Sequence, residues 1–144
     1  MVGGWPGWCR HRLRGECRCG RNGSEVGFAR QRLLGTGGTI SVSALADETG
    51  WSGRHLRTRF AAEIGLTPKA AARVVRFDRA RRLLQRRAAS GRRLDLAALA
   101  ANCGYYDQAH LDLEFRALAG APPTTWLERE FRNLQASAVA PAER

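Results

Sequence analysis

Two stretches of this chain, residues 55–68 (HLRTRFAAEIGLTP) and residues 110–123 (HLDLEFRALAGAPP), are copies of one pattern set 55 positions apart. Histidine, leucine, phenylalanine, alanine, glycine and proline recur in step. In contrast, Arg57 and Arg59 of the first copy align with two acidic residues of the second. The repeat therefore predicts one structural unit used twice, with two different surfaces.

The pattern around both copies predicts helices. Apolar residues recur every three or four positions, serine, threonine or aspartate stands where a helix would begin, and glycine stands where it would end. No alternation typical of a strand competes with this period. The sequence therefore predicts an all-α fold of about seven helices, over residues 24–34, 42–49, 52–64, 68–87, 94–102, 107–119 and 123–131.

Each predicted helix has an apolar side that we expect to face a core. We expect Trp51, Tyr105 and Trp126 to be core or turn aromatics and Cys103 to be a small buried hydrophobic residue. The other residues expected to point inward are Val26, Phe28 (partly), Ala29, Leu33, Leu34, Leu45, Ala46, Leu56, Phe60, Ile64, Val74, Phe77, Leu84, Leu111, Phe115 and Ala119.

A short helix, a glycine turn and a second helix with inward leucine and phenylalanine form the helix-turn-helix pattern, in which the second helix can enter the major groove of DNA. One match to this pattern is weak evidence for DNA binding, because any corner between two helices needs a similar turn. Two matches joined by a long basic helix favour DNA binding. The expected organisation is a first unit over residues 24–66, a linking helix over 67–90 and a second unit over 91–133, with disordered tails over 1–23 and 134–144.

The charge of the chain is strongly positive and unevenly distributed. The formal net charge is +11 and the isoelectric point is near 11.2, which indicates a polyanionic partner. Residues 1–35 carry +5, residues 36–93 carry +9 and residues 94–144 carry −3. No apolar run approaches the roughly 20 residues needed to span a bilayer. We therefore expect a cytoplasmic protein associated with the nucleoid, with no membrane partner.

A set of motifs runs through residues 24–133 at the spacing of the repeat. The motifs are 45–52 (LADETGWS), His55-Leu56, Phe60, 65–68 (GLTP), 76–80 (RFDRA), 104–111 (GYYDQAHL), Phe115-Arg116 and 120–123 (GAPP). Together they resemble the DNA-binding region of the AraC/XylS family of transcription regulators. In that family two recognition helices enter successive major grooves on one face of the duplex. The resemblance implies a bipartite promoter site with centres about 34 Å apart.

The resemblance also implies the partners. Double-stranded DNA is the expected partner, RNA polymerase is a further candidate partner, and no cofactor is expected. Most members carry a separate ligand-sensing or dimerisation domain, for which this chain has no room. The chain therefore resembles either the small stand-alone members or a fragment of a longer regulator, and we expect a monomer in either case.

Helix geometry, at about 100° per residue, indicates which side chains of the first recognition helix would read bases. With Leu56 inward, Arg54 and Arg57 are the best candidates for a bidentate contact to guanine, worth roughly 1–3 kcal/mol of discrimination. Thr58 is placed to meet a thymine methyl group. The predicted DNA-binding residues of this helix are Ser52, Gly53, Arg54, Arg57, Thr58 and Arg59.

The second recognition helix has a different predicted surface. Leu113 stands where the family commonly has a basic residue, and it can touch a thymine methyl group but cannot hydrogen-bond to a base edge. Asp112 and Glu114 would repel phosphates unless they pair with Arg116 or another cation. We therefore expect the first unit to anchor the complex and the second to bind weakly. The predicted DNA-binding residues here are Tyr106, Gln108, Ala109, Asp112, Leu113 and Arg116.

Four further residues have predicted roles outside base reading. Lys69 and Arg73, early in the linking helix, are candidate phosphate contacts. His55 and His110 recur next to an inward leucine, and neither is paired with a nucleophile or a carboxylate in the pattern. We expect them to pack or to contact phosphate rather than to catalyse a reaction, and we expect no enzymatic activity.

Two alternatives from other classes remain open. The group Cys9, His11, Cys17 and Cys19 has the elements of a zinc site, although its spacings are shorter than the usual gap of two to four residues. It resembles bacterial DNA-repair regulators in which a zinc-bound cysteine accepts a methyl group ahead of an AraC-like domain, but residues 1–23 are too few for that domain. The other alternative is a protein-interaction module that keeps the fold without binding DNA.

Overall fold

The computed structural model describes residues 24–139, with side chains described up to Asn133. This part of the chain forms seven helices and no strand, which confirms the all-α prediction. The predicted tail over residues 1–23 lies outside the described residues. The helices are α1 Glu25–Gly35, α2 Val42–Thr49, α3 Gly53–Ile64, α4 Pro68–Ala89, α5 Leu96–Asn102, α6 Gln108–Ala119 and α7 Pro123–Val139.

Side-chain caps begin six of these helices. In each case a serine, threonine or aspartate oxygen accepts a hydrogen bond from the backbone N–H three residues further on, which contributes roughly 1 kcal/mol per helix. Pro68 then occupies the first position of α4, where no backbone hydrogen bond is lost. The capping residues are Ser24, Ser41, Ser52, Thr67, Asp95 and Asp107.

The first unit consists of α1, α2 and α3 around its own core. Alanines at the start of α4 complete this core, and their small side chains let the four helices approach closely. The partly buried Trp51 packs against its edge. The buried residues are Val26, Ala29, Leu33, Leu45, Ala46, Leu56, Phe60, Ala71 and Ala72.

The second unit consists of α5, α6 and α7 around a separate core. Phe115 is at its centre, with the ring of Phe77 at 4.9 Å and the ring of Trp126 at 5.7 Å, both in edge-on contacts. Burial raises the pKa of the Cys103 thiol, in agreement with its expected role as a small apolar residue. The buried residues are Ala80, Leu84, Leu99, Ala100, Cys103, Tyr105, Leu111, Phe115, Ala121, Trp126 and Leu127.

The linking helix α4 belongs to both cores. Its first turns supply Ala71 and Ala72 to the first unit, whereas Ala80 and Leu84, two to three turns later, are buried in the second. The relative placement of the two units therefore depends on this helix and on the contacts that cross it.

Four residues that were expected to face a core do not. Phe28 and Leu34 are 41% and 52% exposed, because α1 buries the stripe of Val26, Ala29 and Leu33 and each of these two lies beside that stripe. Ile64 is 38% exposed because α3 ends there. Val74 is 46% exposed on α4, between the alanines of the first core and Ala80 of the second.

Three helix boundaries also differ from the prediction by two residues or more. α4 continues to Ala89, and α5 begins at Leu96 rather than Leu94 because Asp95 caps it. α7 continues to Val139, past its predicted end at Phe131 and into the predicted tail. No glycine or proline interrupts residues 132–139, which include two alanines, so the backbone has no reason to leave the helix. Residues 140–144 lie outside the described part.

Candidate nucleic-acid interface

The recognition helix of the first unit, α3, is held by its buried side. Leu56 and Phe60 are almost completely buried, one turn apart. Ser52 caps the helix by accepting a hydrogen bond from the backbone N–H of His55 at 3.1 Å, and Gly53 is the first helical residue. These contacts fix the rotation of α3 about its own axis, and with it the set of side chains that face solvent.

The solvent side of α3 carries the side chains predicted to contact DNA. Arg54, Arg57, Thr58 and Arg59 are all exposed. The Thr58 hydroxyl donates to the carbonyl oxygen of Arg54 at 3.1 Å, and Arg59 approaches Glu63 within the helix at 3.5 Å. Among residues 24–133, neither Arg54 nor Arg57 forms an ion pair. Two guanidinium groups are therefore available on this surface to a partner.

The recognition helix of the second unit, α6, is held in the same way. Leu111 and Phe115 are buried at the positions equivalent to Leu56 and Phe60. Asp107 caps the helix by accepting a hydrogen bond from the backbone N–H of the third helical residue at 2.8 Å. The inner halves of the two recognition helices are thus equivalent.

The turn before α6 is one residue longer than the turn before α3. Only Trp51 separates Gly50 from the cap of α3, whereas Tyr105 and Tyr106 both separate Gly104 from the cap of α6. Tyr105 is buried, but Tyr106 is 93% exposed. The extra residue therefore places an aromatic ring with a hydroxyl group in solvent beside the start of α6.

Both histidines pack against an aromatic residue of the turn. The ring centroids are 4.6 Å apart for Trp51 and His55 and 5.2 Å apart for Tyr105 and His110, both edge-on. The backbone N–H of Tyr106 donates to Nδ1 of His110 at 3.3 Å. A neutral His110 therefore carries its proton on Nε2, where it can donate to a ligand.

The solvent side of α6 differs from that of α3. Gln108, Ala109 and Arg116 are exposed, and Leu113 is 65% exposed. Asp112 is partly buried, and its Oδ1 atom has no hydrogen-bond partner among the described residues. Where α3 has its three arginines, α6 therefore has Ala109 and two acids, Asp112 and Glu114.

Glu114, the other acid of the second copy, is paired across the molecule. Nε of Arg73 on α4 lies 2.9 Å from Oε1 and 2.8 Å from Oε2 of Glu114, whose side chain is only 14% exposed. The cation that neutralises Glu114 is therefore Arg73 rather than Arg116. Arg73 was one of the two candidate phosphate contacts, and its guanidinium group is instead bonded to Glu114.

A cleft of about 540 Å³ lies between the first half of α4 and α6. Lys69 is exposed at its edge, and the guanidinium of Arg76 lies 5.6 Å from the centroid of the Tyr105 ring behind it. Because Arg73 neutralises the single acid of the cleft, the lining remains positive overall. The lining residues are Thr67, Lys69, Ala70, Arg73, Arg76, His110 and Glu114.

Two arginines that the sequence analysis did not single out lie beside the second recognition helix. Arg92 and Arg93 are exposed just before α5, and Arg93 lines a shallow cleft together with Gln108 at the start of α6. The sequence feature that could have indicated them is a pair of adjacent arginines close to Asp95, the residue that caps α5. A charge count that begins at residue 94 leaves both arginines out and makes the second unit look more acidic than it is.

The predicted metal candidates Cys9, His11, Cys17 and Cys19 lie outside the described residues. Within residues 24–139 no group of histidine, cysteine, aspartate and glutamate is arranged to hold a metal ion. In the same part of the chain, no helix combines the length and apolar character needed to cross a membrane.

Two exposed helices, each preceded by a short helix and a glycine turn, define a helix-turn-helix protein. The family described as "Helix-turn-helix domain" matches residues 45–129, and the chain belongs to it. No curated protein matches the chain significantly.

Several solved structures share the fold. The C-terminal domain of AraT, a response regulator from Geobacillus stearothermophilus, is 20% identical with a TM-score of 0.66, covering 76% of this chain and 88% of that one. A probable AraC family transcriptional regulator from Rhodopseudomonas palustris is 26% identical with a TM-score of 0.62, covering 73% and 95%. The DNA-binding domain of AdpA, a global transcriptional factor solved with target DNA, is 22% identical with a TM-score of 0.63, covering 73% and 91%.

The family match and these structures agree with the resemblance seen in the sequence. The domain is of the AraC/XylS type, and the protein is a DNA-binding transcription regulator.

Proposed function

We propose that this regulator binds a bipartite DNA site, with α3 and α6 in successive major grooves and the first unit as the anchor. The observation that carries the proposal is the contrast between the two exposed helix surfaces. Arg54 and Arg57 stand on α3 without ion pairs among the described residues, whereas Leu113 occupies the corresponding side of α6. Because one chain carries both helices, a monomer would occupy the whole site and act there on RNA polymerase.

On α3 the roles follow from the chemistry of each group. The guanidinium groups of Arg54 and Arg57 are suited to a bidentate contact with guanine, and the Thr58 methyl group to a contact with thymine. Ser52 and Gly53 bring the start of the helix toward a phosphate, where backbone N–H groups favour an anion. Arg59, already close to Glu63, is suited to a phosphate rather than to a base.

On α6 the contacts are weaker and less specific. Gln108 can bind adenine through two hydrogen bonds, while Ala109 and Leu113 offer apolar contact to thymine methyl groups. Tyr106 and Arg116 can contact phosphates. Asp112 lies on the flank of α6, where its negative charge disfavours close approach of the phosphate backbone of the DNA.

Positive charge around the second unit compensates for this weak surface. Arg92 and Arg93 are exposed beside the start of α6, and Lys69 is exposed at the cleft between α4 and α6. We assign these three residues to phosphates that flank the second half-site. Contacts of this kind add affinity without adding sequence information.

The test is a selection of bound sites from a random DNA pool with the full chain, followed by fluorescence anisotropy on the enriched sequence. We expect one well-defined half-site and one degenerate half-site about one helical turn away. Replacing Arg54 and Arg57 together by alanine should abolish enrichment of the defined half. Arg82→Ala with Arg86→Ala is the matched control, because it also removes two exposed arginines, from the side of α4 roughly opposite to Arg73.

Two outcomes would contradict the proposal. A flat anisotropy signal on all DNA at low salt would instead support a protein-interaction module. Equal losses in the recognition-helix variant and in the double variant of Arg82 and Arg86 would show that net charge, not the α3 surface, determines binding.

A further inference from the structure

The two units touch each other where α4 passes between them. Thr39, in the loop between α1 and α2, lies against Gly104 in the turn of the second unit. Nη1 of Arg76 donates to the carbonyl oxygen of Gly104 at 3.4 Å. These contacts hold the turn before α6, but they do not touch α6 along its length.

Besides the ring contact of Phe77 with Phe115, an ion pair joins α4 to the middle of α6. Its partners are Arg73 and Glu114. Arg73 directly follows Ala71 and Ala72, which are buried in the core of the first unit. Glu114 directly precedes Phe115, which is fully buried in the core of the second. The ion pair thus connects two points that are each anchored in a different core.

The position of Glu114 on α6 lets the ion pair add to the hold that the buried Leu111 and Phe115 have on the orientation of the helix. Leu113 lies about 100° to one side of Glu114 around the helix axis, and Arg116 lies two residues beyond it. If Glu114 is held against α4, the direction in which Leu113 and Arg116 project is set relative to α4, and therefore relative to α3.

We propose that the Arg73–Glu114 ion pair is a positioning contact that fixes the distance and rotational phase between the two recognition helices. With this contact in place, the protein distinguishes DNA sites by the spacing of their half-sites as well as by their base sequence. The proposal rests on the proposed bipartite binding and adds a role for two residues outside the base-reading surface. It also explains why an acid stands in a recognition helix, since Glu114 serves α4 rather than the DNA.

Spacing is a sensitive readout because of the geometry of the duplex. One inserted base pair moves the second half-site by about 3.4 Å and rotates it by about 34°. A rigid pair of helices cannot follow this change without losing contacts at one half-site. A loosened pair can follow it at little cost.

The experiment compares affinities for the selected site and for versions with one base pair inserted or removed between the half-sites. We expect the wild-type chain to prefer its selected spacing by at least about tenfold, comparable to a mismatch in the site. Glu114→Gln should reduce this preference to about threefold or less. The double variant Arg73→Glu with Glu114→Arg should restore it, because the pair is re-formed with reversed charges.

Glu114→Gln separates positioning from simple electrostatics. The variant removes a negative charge near DNA, so a purely electrostatic effect would tighten binding equally at every spacing and leave the preference unchanged. Glu48→Gln is the matched control, because it breaks the ion pair with Arg32 inside the first unit and should leave the preference intact. Thermal unfolding of each variant identifies any variant that is not folded at the temperature of the assay.

The possible results distinguish this inference from the function on which it rests. If no site is enriched, the proposed bipartite binding is wrong and the inference is wrong with it. If a site is enriched and Glu114→Gln shows the wild-type spacing preference, the inference alone is wrong. A preference lost in Glu114→Gln and regained in the charge-reversed pair supports it.

Discussion

Gly104 in the turn of the second unit lies directly against Thr39 in a loop of the first. A Cβ atom on Gly104 would be 2.7 Å from Cγ2 of Thr39, closer than carbon atoms can pack. Gly104 also has a φ of 78°, in the left-handed region that glycine adopts without strain. Its lack of a side chain therefore serves both a turn and an approach between the two units.

Gly104→Ala should destabilise the protein more than Gly50→Ala does. Both glycines have a positive φ, but a Cβ atom on Gly50 would meet nothing within 4 Å. We expect Gly50→Ala to lower the free energy of unfolding by about 1 kcal/mol through backbone strain alone. Gly104→Ala should cost at least about 1 kcal/mol more, measured by urea denaturation.

Thr39→Ser provides the control for this comparison. Serine lacks the Cγ2 methyl group but retains the hydroxyl, which donates to the carbonyl oxygen of Thr36 at 2.8 Å. In the Thr39→Ser background the extra cost of Gly104→Ala should largely disappear. An unchanged extra cost would mean that this methyl group is not what excludes a side chain at position 104.

Arg57→Ala should weaken DNA binding more than Arg116→Ala does. Both side chains are exposed, but Arg57 faces solvent on the helix that we propose reads bases, whereas Arg116 is suited only to a phosphate. We expect Arg57→Ala to cost about 1–3 kcal/mol of discrimination at one position of the selected site. Fluorescence anisotropy on matched and mutated sites measures it. Equal losses in the two variants would remove the proposed asymmetry between the units.

Leu113→Arg should strengthen the second half-site. Leu113 is exposed on α6 at the position equivalent to Thr58, so the variant would place a cation on the side of the helix that we propose faces DNA. We expect tighter binding and a slope of log affinity against log salt that is steeper by about 0.9, the value for one added phosphate contact. Leu118→Arg, on a different side of α6, adds the same charge and should leave the slope near the wild-type value. If both variants steepen the slope equally, α6 has no defined face toward the duplex.

The stability contributed by Glu48 should depend on pH. The hydrogen bond from Arg32 lowers the pKa of Glu48 below its ordinary value of 4.5. A carboxyl group whose pKa is lower in the folded state stabilises the fold above the unfolded pKa, and this contribution is lost as pH falls through the folded pKa. Glu48→Gln should therefore lower the midpoint of denaturation at pH 7 and have no effect at about pH 2. A difference that persists in acid would show that the ion pair is not its cause.

The sequence alone was sufficient for the repeated local architecture. Leu56 and Phe60 in one unit, and Leu111 and Phe115 in the other, are buried because apolar residues one turn apart lie on the same side of a helix. The caps and glycine turns were predictable for the same reason, since they depend on residues within four positions of each other. Interactions between residues that are close in the sequence can therefore be predicted from the sequence.

The length over which the apolar side of a helix is buried cannot be predicted from the residues of that helix alone. Ile64 and Val74 continue the apolar pattern of their helices, yet both are exposed because no neighbouring helix covers those points. The period of a helix indicates which side is apolar, but the neighbours determine how far along its length that side is buried.

The role of the charge inversion was decided only by the tertiary structure. In the sequence, Glu114 is an acid on a DNA-binding helix, separated by 41 residues from the cation that neutralises it. The crossing of α4 and α6 brings Arg73 to both of its carboxylate oxygens, while Leu113 remains exposed on another side of α6. An ion pair between residues distant in the sequence depends on the angle at which their two helices cross. The sequence pattern of neither helix determines that crossing angle.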